Sequence, residues 1–181
     1  MSPASELASS AEKAPATRKG PAASKASRPL AANLCWLLSQ ASYTLTTRLT
    51  AALEGLGISP RAHAVLTAAM TGDHTQIELA RTVGLDKTTM VVTLDELEAA
   101  GLAERRPSPH DRRARVIAVT KAGERKVREA EDIVQRINAD VLAALPVRER
   151  KAFLDGLTRL VTERLSEPAV SATPVRRRTP R

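Results

Sequence analysis

The chain has 181 residues with 43% hydrophobic and 27% charged side chains, enough for one folded domain with tails, and no apolar run approaches the length of a membrane span. Its formal charge is +8, which suits a polyanionic partner, while aromatics at 2% count against the RNA modules that stack bases on Phe, Tyr or Trp platforms. The charge is uneven: residues 1–29 hold five Lys/Arg against two Glu, and residues 166–181 hold four Arg against one Glu, so the middle of the chain is nearly balanced.

Residues 1–29 are rich in Ala, Ser, Pro and Lys and almost lack large apolar side chains, the composition of a disordered basic tail with no secretory signal. From Leu30 to about Leu56, Leu34, Leu37, Leu38, Ala41, Leu45, Leu49, Ala52 and Leu56 recur at helical spacing, and Gly55 and Gly57 close the helix. Ser59 and Pro60 restart the chain as N-cap and first helical residue of a helix that carries Val65, Leu66, Ala69 and Met70 and stops at Gly72. Thr75 and Glu78 form a capping box for a short helix with Ile77, Leu79, Ala80 and Val83 on its apolar side and Gly84 at its end. Asp86 caps a further helix to Ala100, in which Met90, Leu94 and Leu97 form a narrow buried stripe. Gly101 ends it, with Leu102 folding back on Leu97.

A hairpin follows, from Ala103–Arg106 through a proline-interrupted turn to Arg115–Val119. Helix, tight glycine turn, helix and hairpin make a winged helix-turn-helix. Arg105, Arg106, Arg112, Arg113 and Arg115 crowd the hairpin against only Glu104 and Asp111, a local excess that a nucleic acid would neutralise. Beyond it Thr120 caps a helix with Val127, Ala130, Val134, Ile137, Val141 and Ala144 three and four apart, a seam suited to helix-to-helix pairing. Pro146 restarts the chain, and Phe153, Leu154, Leu157, Leu160, Val161 and Leu165 line a final helix before a second loose tail at 166–181. The fold class is therefore mainly α with a small β-hairpin wing. Residues 30–165 form the domain, with 59–119 as the DNA-binding part and 30–57 and 120–165 as dimerisation helices, since the winged part is too small to cover all the remaining apolar surface.

The segment from His74 to Thr120 resembles the DNA-binding core of the MarR family of bacterial transcriptional regulators. The resemblance is carried by Leu97-Glu98-Ala99-Ala100-Gly101-Leu102 leading into the wing, by Asp111-Arg112-Arg113 and by Thr120, and with flanking helices it covers about Leu30 to Leu165. It implies a cytoplasmic, bacterial homodimer whose recognition helices enter successive major grooves of double-stranded DNA while the wings reach into minor grooves. It further implies that Arg113 enters the minor groove, that Asp111 orients a neighbouring arginine, and that a small phenolic or otherwise amphipathic effector binds between the dimer helices and the winged part. Repression is the output it suggests.

Helix geometry names the remaining contacts. Opposite the Met90/Leu94/Leu97 stripe the recognition helix presents Thr88 and Val92, flanked by Thr89 and Val91, and with Lys87 these occupy the N-terminal half that reaches base edges. Many MarR relatives carry arginine where this chain has Val92, so the reading here is that Val92 and the threonine methyls pack on thymine methyl groups. Arg112, Arg115 and Gln76 are assigned to the phosphate backbone.

Cys35 is the only cysteine, which rules out an internal disulfide. Leu34-Cys35-Trp36-Leu37-Leu38 resembles the first helix of the organic-hydroperoxide-sensing branch of MarR proteins, where the matching cysteine is the oxidised switch. That branch has a tyrosine four residues later, whereas this chain has Ser39, so Cys35 is read as a small buried apolar residue with a thiol switch as the alternative. An enzyme is not expected: His63, His74 and His110 have no metal-ligand spacing, and no phosphate loop or nucleophile elbow occurs. No cofactor is expected either. The rival reading is a nonspecific architectural DNA protein that relies on its two basic tails.

Overall fold

A computed structural model describes residue 30 and residues 32–109 and 113–167; the two tails, and with them His110, Asp111 and Arg112, lie outside the described residues. Chain contacts divide it into a unit ending at Ser39 and a unit beginning at Gln40. In the first unit, the side-chain oxygen of Asn33 accepts the Trp36 N–H at 2.9 Å and so caps the start of helix α1, Leu34–Leu53.

The second unit contains, in order, the rest of α1, a single 3-10 turn at Glu54–Leu56, α2 (Pro60–Ala69), α3 (Gln76–Val83), α4 (Lys87–Ala99), β1 (Ala103–Pro107), β2 (Arg115–Val119), α5 (Lys121–Leu142) and α6 (Val147–Arg159), the last continued by a π-helical turn at Leu160–Arg164. Local chemistry sets most of these boundaries. Ser59 accepts the Ala62 N–H at 3.1 Å with Pro60 at the first helical position, and Thr120 accepts the Gly123 N–H at 3.1 Å. Gly84, at φ 71°, turns the chain between α3 and α4 through the left-handed region that a side chain would resist. The Leu102 N–H returns to the Leu97 carbonyl at 2.9 Å, as the fold-back of Leu102 requires.

The core is a single cluster. Leu53, Val65, Leu66, Leu79, Met90 and Leu94 are fully buried, and Leu97, Ala103, Ile117, Val127 and Ala130 close around them. Each large member contributes about 1.5–3 kcal/mol of burial. Two expected placements differ. Ile77 is 62% exposed, because α3 has only eight residues and buries one of them, Leu79; Ile77 at its second position points outward. The α5 seam is split: Val127 and Ala130 are buried in this core and Val134 packs against it, whereas Val141 and Ala144 lie exposed. Half of the seam therefore serves the chain's own fold.

The wing is an antiparallel hairpin in the register Ala103↔Val119, Arg105↔Ile117 and Pro107↔Arg115. A third segment joins it. The Ile117 N–H donates to the His74 carbonyl at 2.9 Å and Thr75 bridges Val116, so the residues entering α3 pair with the wing's second strand. At the base of the wing Thr120 donates its N–H to the Leu102 carbonyl at 3.0 Å and its hydroxyl to the Gly101 carbonyl at 2.8 Å. Gly123 is what permits that closeness. A Cβ there would stand 2.1 Å from the Leu102 carbonyl oxygen and 2.7 Å from Val119 Cγ1.

Candidate nucleic-acid interface

Two capping motifs aim the helix-turn-helix. Thr75 donates its N–H and its hydroxyl to the Glu78 carboxylate, at 2.7 and 2.8 Å, and takes the Glu78 N–H in return. The Thr75 N–H first, then its hydroxyl, hold the Glu78 carboxyl below the usual range. Asp86 does the same for α4, accepting the Thr89 hydroxyl at 2.6 Å and the Thr89 N–H at 2.9 Å, and these two bonds in that order depress its pKa. Both helix starts are thus held by carboxylates whose ionised form these bonds favour.

Met90, Leu94 and Leu97 are buried as the stripe predicted, so the opposite side of α4 faces out. Lys87 and Thr88 are exposed and Val92 is 47% exposed, while Val91 and Thr89 are half-buried. The Thr89 hydroxyl is already committed as a donor to Asp86, which leaves its methyl group and its acceptor capacity. Thr93, which the sequence did not single out, is fully buried and donates its hydroxyl to the Thr89 carbonyl at 2.8 Å. Its local signal was only its place beside the Met90–Leu94 stripe. Gln76 is half-buried as the first residue of α3, next to the bridge that ties this helix start to the wing.

The wing arginines fall into different groups. Arg113 and Arg115 are exposed. Arg106 pairs with Glu104 on the same strand. Arg105 is held differently: its guanidinium reaches Asp95 at 2.8 Å and also pairs with Glu98, both on α4. Asp111 and Arg112 lie outside the described residues. Cys35, read above as buried, is exposed on α1, which corrects that reading; apolar periodicity marks a face but not what covers it.

No catalytic grouping emerges among the described residues. His63 is buried in α2 with Glu131 of α5 3.7 Å away, and burial pushes its pKa down against the opposing pull of that carboxylate. His74 shares a 2.8 Å hydrogen bond with the Thr71 hydroxyl. No group of three or more His, Cys, Asp or Glu could hold a metal ion, and no helix is long and apolar enough to cross a membrane, in both cases among the described residues.

A capped helix pair, an outward-facing second helix and an arginine-bearing hairpin fastened beside it define a winged helix-turn-helix protein. The MarR family model matches residues 56–114, which span α2 to the wing tip. Among solved structures, CouR from Rhodococcus jostii RHA1 bound to p-coumaroyl-CoA is 28% identical, with TM-score 0.67 over 80% of this chain and 99% of that one. A MarR-family transcriptional regulator from Rhodococcus sp. RHA1 is 29% identical, with TM-score 0.68 over 74% and 96%. The repressor CouR bound to a 23-mer DNA duplex is 25% identical, with TM-score 0.65 over 75% and 96%. The chain is thus similar to the MarR family over residues 56–114, and its fold resembles that of MarR-family regulators over most of its length.

Proposed function

We propose that this protein is a sequence-specific, double-stranded-DNA-binding transcriptional regulator, a ligand-responsive repressor that occupies a pseudo-palindromic operator as a homodimer. The observation that carries the reading is the exposed N-terminal face of α4, with Val92 and Thr88 outward, in the same compact unit as a wing that exposes Arg113 and Arg115. The similar CouR has been seen both on a DNA duplex and with p-coumaroyl-CoA, which supports DNA and an aromatic acyl thioester or phenolic acid as the two ligand classes.

Roles follow from chemistry. Thr88 and Val92 have methyl groups but no planar donor pair, so they favour thymine methyls over guanine, and Lys87 and Thr89 flank them. Arg113 suits a minor groove narrowed by A·T pairs, where negative potential is concentrated, with Asp111 orienting a neighbouring guanidinium. Arg112, Arg115, Arg106 and Gln76 serve the phosphate backbone. A second copy is called for by the apolar side chains left exposed on α6, its π-helical continuation and the residue that ends it: Phe153 at 50%, Leu154 at 45%, Val161 at 54% and Leu165 at 54%. Paired reading helices must then meet half-sites about 34–36 Å apart, and an effector that prefers another spacing releases the DNA.

Selection of bound duplexes from a random pool tests this, run on the full chain and on a version trimmed of residues 1–29 and 166–181. Both should enrich the same palindrome, and hydroxycinnamoyl thioesters or phenolic acids should weaken binding. A trimmed chain that loses all sequence selectivity would replace this account with a tail-driven architectural binder.

A further inference from the structure

We infer that Arg105 is a positioning residue, a clamp that locks the wing to α4 so that reading helix and hairpin meet DNA as one rigid piece; this rests on the DNA-binding function proposed above. Arg105 belongs to the arginine-crowded hairpin and its composition alone would send it to phosphate. Its surroundings send it elsewhere. In the hairpin it lies on the same side of β1 as the buried Ala103, two residues before it, whereas Arg106 occupies the other side. That side faces α4, and α4 meets it with two carboxylates one turn apart, Asp95 and Glu98.

The attachment has three parts. The Arg105 backbone N–H donates to Glu98 Oε1 at 2.7 Å, its guanidinium donates to the other Glu98 oxygen, and it also reaches Asp95 at 2.8 Å. Glu98 therefore holds both the strand's backbone and the side chain that leaves it. The Arg105 and Glu98 side chains are only 28% and 32% exposed, so water screens the pair less than it would a surface pair. An Arg105 that swung out to a phosphate would leave a half-buried carboxylate and reduce the tie between β1 and the helix to the backbone bond to Glu98. The wing would then lose its fixed angle to the major-groove face.

The two roles predict opposite signs for one perturbation. In Asp95→Asn/Glu98→Gln two negative charges near a polyanion disappear and Arg105 is set free. If Arg105 were a phosphate contact, affinity for the selected duplex would rise. The clamp predicts that affinity falls by roughly three- to tenfold, the scale of a partly screened charge-assisted contact. It also predicts a footprint in which hydroxyl-radical protection under the wing's minor groove is lost while protection beneath α4 persists. Equal or tighter binding, or a uniformly weakened footprint, overturns the proposal. The substitutions are isosteric, and a thermal melt of the variant checks that it folds. Amide exchange in the free protein supplies the reading that needs no DNA: the amide oxygen put at position 98 can still accept the Arg105 N–H, but without the two guanidinium pairs β1 is held less firmly and its amides should exchange faster in the variant, and unchanged exchange overturns the clamp. If the wild-type chain selects no duplex at all, it is the DNA-binding function that fails, and amide exchange still decides the clamp.

Discussion

Replacing Gly123 by Ala sets two opposed effects against each other at the joint between wing and α5. Alanine in a helix is ordinarily better than glycine by about 1 kcal/mol. Here the added Cβ would lie 2.1 Å from the Leu102 carbonyl oxygen and 2.7 Å from Val119 Cγ1. The carbonyl is backbone and cannot rotate aside, so α5 has to back away by roughly 1 Å to reach ordinary contact distance. The same carbonyl accepts the Thr120 N–H at 3.0 Å, so the retreat also strains that bond. Overpacking at about 1–3 kcal/mol and a weakened hydrogen bond at about 1 kcal/mol outweigh the helix gain, for a net loss near 2 kcal/mol. Thermal unfolding followed by circular dichroism should then show a midpoint about 4–8 °C lower. Gly156, in α6, has nothing within 4 Å of its would-be Cβ, so Gly156→Ala should move the midpoint upward instead. A Gly123→Ala midpoint that stays level or rises would refute the packing argument.

Other outcomes follow from the same structure. Arg113→Ala should weaken operator binding at least tenfold at moderate salt while leaving the melting curve in place; retained affinity removes Arg113 from the interface. Val92→Ala should flatten the preference at one thymine position per half-site, visible in an operator scan, and an unchanged preference at every such position means Val92 reads no base. His63 has a folded pKa below its ordinary value, so between the two values the unfolded chain binds more protons. Stability should be full above about pH 6.5 and decline as pH falls from there towards the folded value, a slope that urea midpoints would reveal and that His63→Gln should flatten. Since Cys35 is exposed, hydroperoxide should release DNA from the wild type but not from Cys35→Ser if the thiol is a switch; equal release from both makes it a bystander.

Legibility divided along the line between local and long-range chemistry. Ser59, Thr75, Asp86 and Thr120 each cap the helix assigned to them, because a cap is a contract among neighbours three residues apart. The stripe of Met90, Leu94 and Leu97 was equally readable, since it needs only helical period. What escaped depends on elements far apart in the chain. No spacing rule tells Arg105 that Asp95 and Glu98 will lie beneath it, or Thr75 that it will bridge Val116. Gly123, which no local pattern singles out, is a close-approach site. Ile77 and Cys35 failed for a related reason: apolar character on a helix marks a sticky side without saying what buries it.

The most direct test is the mass of the complex, by native mass spectrometry, on a duplex carrying the selected palindrome and on one carrying half of it. Two chains on the full site, and far weaker occupancy of the half-site, are what paired reading helices require. A single chain on either duplex, bound with equal strength, would contradict the account.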